Sequence, residues 1–362
     1  MRGPVFTWKG RLRRGQASEG SRMITTSLQA RQLESRTWQQ ELAEAITSLE
    51  ELAAVLGLSP QELGGAEAAG RGFRLRVPRS FVARMRRGDP EDPLLRQVLP
   101  VAAELADEVE YTSDPVAESA ALRTPTLLQK YRGRALLITT EACAVHCRYC
   151  FRREFPYSQQ SGAAPRWSAA LAEIAADPAL EEIILSGGDP LSLSNARLEN
   201  LTRTLAAIPH VRRIRVHTRQ PVVLPSRVDD GLLHWLRTNT QPIVFVLHVN
   251  HPNELDAELA LACAKLRATG VTLLNQSVLL AGVNDDARVL ADLSLRLFEA
   301  GVLPYYLHAL DRVRGAAHFA VSDERARVLA GQLAARLPGY LVPRLVREVP
   351  GAPAKVGLGT AF

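Results

Sequence analysis

The sequence has few cysteines and no long apolar run, and each shortage excludes a class of protein. Three of its four cysteines fall within eight positions. They are too clustered for a disulfide framework and indicate metal binding in a reducing compartment, the cytoplasm. No stretch approaches 18 uncharged apolar residues, and the N-terminus lacks the apolar core of a secretory signal. We therefore predict neither a membrane span nor secretion.

Composition and charge suit a globular protein. The 362 residues are 46% apolar and 23% charged, enough for one large core of the size that α/β barrels use. The net charge of +6 is spread along the chain without an RRM, KH or helix-turn-helix signature, so we predict no nucleic-acid partner. Only four of the 44 basic residues are lysines, a bias that fits codon composition.

The chain is predicted to divide at residues 22/23, 125/126 and 315/316. Residues 1–22 are Arg-rich and patternless, which indicates a disordered extension or a misassigned start, with Met23 as the true one. A transit peptide is the alternative. Residues 23–125 are predicted to be a helical region, because apolar residues recur at helical spacing over 37–58 and Ser59-Pro60 is typical of another helix start. Residues 73–100 are predicted to be a connecting segment with a short helix.

Apolar runs alternate with amphipathic segments over 126–315, the predicted barrel. The predicted strands are 135–139, 182–186, 213–218, 243–249, 271–280 and 303–310, and the predicted helices are 169–176, 196–208, 229–238, 254–269 and 287–299. This alternation requires parallel strands with right-handed crossovers, so we predict a partial (β/α)6 TIM-like barrel of the α/β class. A doubly wound sheet is the alternative. Residues 316–362 are predicted to add a helix, 323–337, and an extended segment, 341–349.

The cysteine cluster directly follows the first predicted barrel strand, at the face where barrels carry their active sites. Cys143, Cys147 and Cys150 have the spacing Cys-x3-Cys-x2-Cys, which suits three irons of a [4Fe-4S] cluster and leaves one iron open. A structural zinc site would need a fourth ligand. Cys263 lies inside a predicted helix and suits a buried position, and His146 beside Cys147 would be sterically awkward.

The cysteine spacing after a first strand resembles that of the radical S-adenosylmethionine (SAM) superfamily. In that superfamily the open iron binds SAM, and an electron from a donor such as a flavodoxin or ferredoxin cleaves SAM to a radical. A second motif ends the second predicted strand and resembles the one that receives the SAM ammonium: Ser186, Gly187, Gly188 and Asp189, followed by Pro190. Its glycines let backbone carbonyls approach closely, and Asp189 supplies negative charge. Taken alone, these residues would indicate only a turn.

Residues 73–355 resemble the lysine 2,3-aminomutase family, and within it the short branch that serves the β-lysylation of elongation factor P. The matching segments are LRVPRSF (75–81), DPLLRQVL (92–99), CRYCFRR (147–153), TLLNQSVLL (272–280) and PYYLH (304–308). The resemblance implies pyridoxal 5′-phosphate (PLP) as a further cofactor. A PLP enzyme needs a lysine that condenses with the cofactor, and arginine does not replace it.

The resemblance also implies the role of each site residue. Lys355 is the implied PLP lysine, and Arg152 is the implied clamp for the substrate carboxylate. Asp311 and Glu348 match the two acids that receive the ε-ammonium of lysine. The implied site for the PLP phosphate consists of Lys130, Tyr131 and Arg134. The implied SAM contacts are His248 and Gln276. Without the resemblance, each of these would be interpreted as an ordinary surface or core polar residue.

The implied reaction is an isomerisation, the intramolecular transfer of the α-amino group of L-lysine to its β-carbon. For this branch the product is (R)-β-lysine, which a separate ligase joins to elongation factor P. Three alternatives remain. They are a catabolic lysine 2,3-aminomutase, an aminomutase acting on glutamate, which should lack the acidic pair, and an iron–sulfur module that senses redox state without turnover.

Overall fold

Residues 37–59, 62–63, 67–156 and 167–361 are described by a computed structural model. The predicted N-terminal extension and the proline of the predicted helix start at Ser59-Pro60 lie outside these residues. Among the described residues no helix is long and apolar enough to cross a membrane.

Within the described residues, ten strands form one sheet in which each strand pairs with its sequence neighbours. The strands are β1 Leu122–Thr124, β2 Leu127–Tyr131, β3 Arg134–Thr140, β4 Glu182–Gly187, β5 Arg213–Thr218, β6 Ile243–Leu247, β7 Thr272–Val278, β8 Leu303–His308, β9 Arg344–Arg347 and β10 Val356–Gly357. Strands β3 to β9 are parallel, whereas β1, β2 and β10 pair antiparallel at the two ends. Because the strand order never reverses, the doubly wound alternative is wrong and the partial barrel is confirmed.

The helices of the barrel lie between successive strands, as predicted. The α-helices are α1 Trp38–Ala43, α2 Leu49–Leu56, α3 Glu67–Gly72, α4 Arg79–Val82, α5 Pro93–Arg96, α6 Ser168–Ala176, α7 Asn195–Ala206, α8 Gln220–Val223, α9 Asp230–Thr238, α10 Ala257–Arg267, α11 Ala287–Glu299 and α12 Asp323–Arg336. Helices α7, α9, α10, α11 and α12 each begin after a serine or aspartate whose side chain accepts a backbone N–H of the first turn. Such caps satisfy donors that the helix leaves open, which explains where these helices start.

The apolar positions over 37–58 do not form the single helix that their spacing predicts. Ile46 pairs with Val77 in an isolated β-bridge, with Ile46 N donating to Val77 O at 2.8 Å. Ser48 then accepts a hydrogen bond from Glu51 N at 3.1 Å and caps α2. The prediction is wrong here because a tertiary strand contact replaces helical hydrogen bonds at Ile46.

The segment 73–100 holds two short helices, α4 and α5, and packs against the loop that carries the cysteines. Phe81 and Leu95 are buried in one apolar cluster with Ala144 and Val145 of that loop. The same loop is tied to the segment by its backbone, since Arg148 N donates to Gln97 O at 2.9 Å. The N-terminal region therefore supports the cysteine loop from outside the barrel.

Candidate active site

A cavity of about 670 Å³ lies at the carboxyl ends of the parallel strands, where barrel enzymes bind their ligands. Every residue of the predicted site lines it. These residues are Lys130, Tyr131, Arg134, Cys143, Cys147, Cys150, Arg152, Ser186, Gly187, Gly188, Asp189, His248, Gln276, Asp311, Glu348 and Lys355. The fold thus brings together residues that are spread over more than 200 positions of the sequence.

The cysteine loop runs directly from the end of β3. Cys143, Cys147 and Cys150 all face the cavity, and a turn joins Cys150 N to Cys147 O at 3.0 Å. Burial raises the pKa of Cys143 well above its usual range and that of Cys150 to about 11. Bound iron would lower these pKa values again, because it stabilises the thiolate forms that burial disfavours.

Arg219 contacts the cysteine loop, a role that sequence reasoning missed. Its Nη1 donates to Cys147 Sγ at 2.8 Å, and its Nη2 donates to Gln97 Oε1 at 2.6 Å and Glu254 Oε2 at 3.1 Å. The side chain is buried. One signal was available, because Arg219 directly follows β5 and so stands at the catalytic end of a barrel strand.

The two glycines after Ser186 allow the end of β4 to pack against the cysteine loop. Gly187 has φ +115°, and a Cβ on Gly188 would lie 2.4 Å from Ala142 O. Backbone hydrogen bonds join the two segments, from Gly188 N to Thr140 O at 2.6 Å and from Asp189 N to Ala142 O at 2.8 Å. The motif therefore has a structural role besides the SAM contact predicted for it.

The carboxylate of Asp189 is occupied by hydrogen bonds from neighbouring strand ends. Its Oδ1 accepts from Leu191 N and Thr218 Oγ1, and its Oδ2 accepts from Arg219 N and Gln220 N, all at 2.7–3.0 Å. Burial raises the pKa of Asp189, although these hydrogen bonds act to lower it. Its predicted contact with SAM stays a prediction.

The guanidinium of Arg152 is held by Glu118, another residue that the sequence did not indicate. Arg152 Nε donates to Glu118 Oε2 and Nη2 to Glu118 Oε1, both at 2.7 Å. Arg152 Nη1 donates to Ser186 Oγ at 2.9 Å and to Gly187 O at 3.3 Å. Arg152 and Glu118 are both buried at the cavity wall.

Lys355 meets Glu348 at the opposite part of the sheet, between β9 and β10. Lys355 Nζ donates to Glu348 Oε2 at 2.6 Å, and Tyr131 Oη donates to Glu348 Oε1 at 2.7 Å. Lys130 Nζ lies 3.6 Å from the same Oε1. Burial alone would raise the pKa of Glu348, but Lys355, Tyr131 and Lys130 lower it to about 2. The predicted PLP lysine and one predicted substrate acid are therefore direct partners.

Burial strongly shifts the pKa of three further groups of the cavity. Burial raises the pKa of Asp311 to about 6, although Lys355 opposes the shift. It lowers the pKa of His248 and of His308 to about 3, so both rings are neutral at pH 7. His248 Nε2 lies 3.0 Å from Gln276 Nε2. Perturbed groups gathered in one cleft are typical of a catalytic or binding site.

Two histidines offer ring nitrogens without a hydrogen-bond partner to this cavity. Among the described residues, the buried Nε2 atoms of His217 and His308 have no hydrogen-bond partner. Buried polar atoms are rarely left unpaired in a folded protein, so such atoms indicate room for a polar ligand.

Comparison with known proteins agrees with this geometry. Residues 132–218 match the family model of a 4Fe-4S single cluster domain. Proteins named L-lysine 2,3-aminomutase from several bacteria are similar to this chain, among them the following three. The chain is 49% identical over 322 residues to that of Escherichia coli (strain K12), which covers 89% of this chain and 94% of the relative. The identity to the Haemophilus influenzae protein is 45%, and the match covers 89% of this chain and 95% of that relative. The identity to the protein of Buchnera aphidicola subsp. Baizongia pistaciae is 43%, and the match covers 88% of this chain and 94% of that relative.

Proposed function

Because the chain belongs to the L-lysine 2,3-aminomutase family of radical SAM isomerases, we propose that it moves the α-amino group of L-lysine to the β-carbon. We further propose that the product is (R)-β-lysine and that a separate ligase attaches it to elongation factor P. The matching segments listed above support this finer assignment.

Family membership implies a [4Fe-4S] cluster, SAM and PLP as cofactors, and the residues of the cavity fit all three. Cys143, Cys147 and Cys150 would hold the cluster, and Lys355 would hold PLP, with Lys130, Tyr131 and Arg134 at its phosphate. When bound, these groups supply the radical that removes hydrogen from the substrate and the carrier on which the amino group migrates. The protein itself positions the reactants and excludes water.

One observation carries the substrate assignment, the 2.6 Å contact between Lys355 Nζ and Glu348 Oε2. The ammonium of Lys355 is the same chemical group as the ε-ammonium of free lysine. A carboxylate that already binds one alkylammonium at a partly buried position is suited to bind another. Asp311 stands in the same charge environment, because Glu348 and Lys355 both influence its pKa. Arg152 would bind the carboxylate end of the substrate.

The direct test is anaerobic incubation of the reconstituted protein with PLP, SAM, dithionite and labelled L-lysine, followed by chiral identification of the product. We expect (R)-β-lysine. If 5′-deoxyadenosine forms without β-lysine, the substrate assignment is wrong. If the product is the other enantiomer, the assignment to elongation factor P is wrong. A redox sensor would give neither 5′-deoxyadenosine turnover nor β-lysine.

A variant tests the predicted PLP lysine. Lys355→Ala should abolish amino migration, because no other residue type condenses with PLP as lysine does. The matched control is Lys265→Ala on the exposed face of α10, which should retain full activity. Borohydride reduction followed by peptide mass spectrometry should locate PLP on Lys355 in the wild-type protein. Persistent migration in Lys355→Ala would remove the PLP assignment.

A further inference from the structure

We infer that Glu118 is a positioning residue for Arg152 and thereby sets the affinity for the carboxylate end of the substrate; this inference rests on the proposed function. Both carboxylate oxygens of Glu118 accept hydrogen bonds from Arg152, each at 2.7 Å. The side chains of Glu118 and Arg152 are only 4% and 6% exposed, so the two do not form an ordinary surface ion pair. Paired, parallel hydrogen bonds fix the plane of a guanidinium as well as its place.

The chain turns sharply to bring Glu118 into the cavity. Ala117 has φ +50°, the one positive φ among the described non-glycine residues. The carboxylate of Asp114 accepts hydrogen bonds from Glu118 N at 2.7 Å, Ser119 N at 3.0 Å and Ser119 Oγ at 2.6 Å. A left-handed alanine is uncommon and costs free energy, so surrounding contacts must hold it. The turn therefore directs the Glu118 side chain inward while Ser119 stays exposed.

Glu118 fixes one edge of the Arg152 guanidinium, the edge formed by Nε and Nη2. Nη1 donates to Ser186 Oγ at 2.9 Å and to Gly187 O at 3.3 Å, so a ligand carboxylate would have to replace these partners. The guanidinium also lies over the ring of Phe151, 4.8 Å from its centroid. A long arginine side chain held on three sides has already lost its rotamer freedom, so a ligand carboxylate need not order it.

Lys130 adds a second cation beside this pair. Its Nζ lies 3.8 Å from Glu118 Oε1 and 3.6 Å from Glu348 Oε1, so its charge is shared between the two acids. A substrate carboxylate at Arg152 would therefore bind by exchanging partners with groups that are already charged and oriented.

The test compares lysine with cadaverine, which has the same amines but no carboxylate. Equilibrium binding of each is measured on protein loaded with cluster, SAM and PLP. Glu118→Gln keeps the shape of the side chain and removes its charge. We expect it to weaken lysine binding about tenfold and to leave cadaverine binding unchanged, because only lysine uses Arg152. The matched control is Glu110→Gln on the same segment, whose partner Arg312 lies at the surface, and it should change neither affinity.

A double variant tests whether Glu118 acts through Arg152. If it does, Glu118→Gln should add little to the loss caused by Arg152→Lys. Equal weakening of lysine and cadaverine, additive effects, or tighter lysine binding would each overturn the inference. Should Glu118→Gln not fold, Glu118→Asp keeps the charge with a shorter reach and should give a smaller but still lysine-selective loss. Wild-type protein that binds no lysine would instead contradict the proposed function.

Discussion

The charged side chains of the cavity are paired with one another. Arg152 pairs with Glu118, and Lys355 pairs with Glu348. Lys130 lies between the two acids, 3.8 Å from Glu118 and 3.6 Å from Glu348. An isolated charge would be costly in this buried setting, so each group compensates another. A charged substrate therefore enters by exchanging partners with groups that are already charged and oriented.

Arg219 gives a prediction about the cluster. Its guanidinium donates to Cys147 Sγ, and such hydrogen bonds and positive charge stabilise the reduced, more negative state of an iron–sulfur cluster. Arg219→Met should therefore lower the midpoint potential, measured by redox titration with detection by electron paramagnetic resonance. Arg219→Lys keeps the charge and should give a smaller shift. Arg237→Met changes an exposed charge and should leave the potential unaltered. An unchanged potential in Arg219→Met would contradict the role of this contact.

The sequence predicted residues with a recognisable pattern and missed those without one. The three cysteines follow a spacing that few other sites use, and Lys355 was indicated by the resemblance. Glu118 has no local signal, because its inward direction depends on the left-handed Ala117 and on a partner 34 positions away. Glu348 was assigned to the substrate, but its contact with Lys355 depends on the pairing of β9 with β10.

At the level of strands and helices, predictions succeeded where local signals and packing agree. The helix 287–299 has the predicted bounds, and Asp286 caps it. The six predicted barrel strands are present, yet β1, β2 and β10 were missed. These three short strands pair antiparallel at the ends of the sheet, and their partners cannot be read from periodicity. Lys130 and Tyr131 lie on β2, so this missed strand carries two residues of the predicted PLP phosphate site.

The junction of β4 with the cysteine loop gives a second prediction. Gly188→Ala would place a Cβ 2.4 Å from Ala142 O, and backbone atoms cannot move aside cheaply. The overpacking should cost roughly 1–3 kcal/mol and displace the loop, so we expect reduced iron and sulfide content with helical content retained. Chemical iron analysis and circular dichroism measure these two quantities. Gly72→Ala is the control, because its new Cβ meets no atom within 4 Å. This variant should bind iron normally. Full iron content in Gly188→Ala would show that the loop does not depend on this packing.

Over the whole molecule, three distant parts of the chain meet behind the cysteine loop. Gln97 comes from the N-terminal region, Arg219 follows β5, and Asn250 and Glu254 follow β6. Gln97 Oε1 accepts from Arg219 Nη2 at 2.6 Å and from Asn250 Nδ2 at 3.0 Å, while its Nε2 donates to Glu254 Oε1 at 3.2 Å. These contacts join residues more than 120 positions apart, and such distant partners leave no pattern in the local sequence. The sequence therefore predicted only a connecting segment at 73–100.

Gln97 therefore tests whether the N-terminal region and the barrel are stabilised as one unit. Gln97→Leu would fill a similar space but leave buried donors on Arg219 and Asn250 without this acceptor, and each unsatisfied group costs about 1–3 kcal/mol. We expect the midpoint of thermal unfolding to fall by at least about 4 °C, measured by calorimetry on the metal-free protein so that cluster loss does not contribute. Gln332→Leu, on the exposed face of α12, is the matched control and should leave the midpoint unchanged. A midpoint in Gln97→Leu equal to that of the wild type would mean that the network satisfies hydrogen bonds without holding the two regions together.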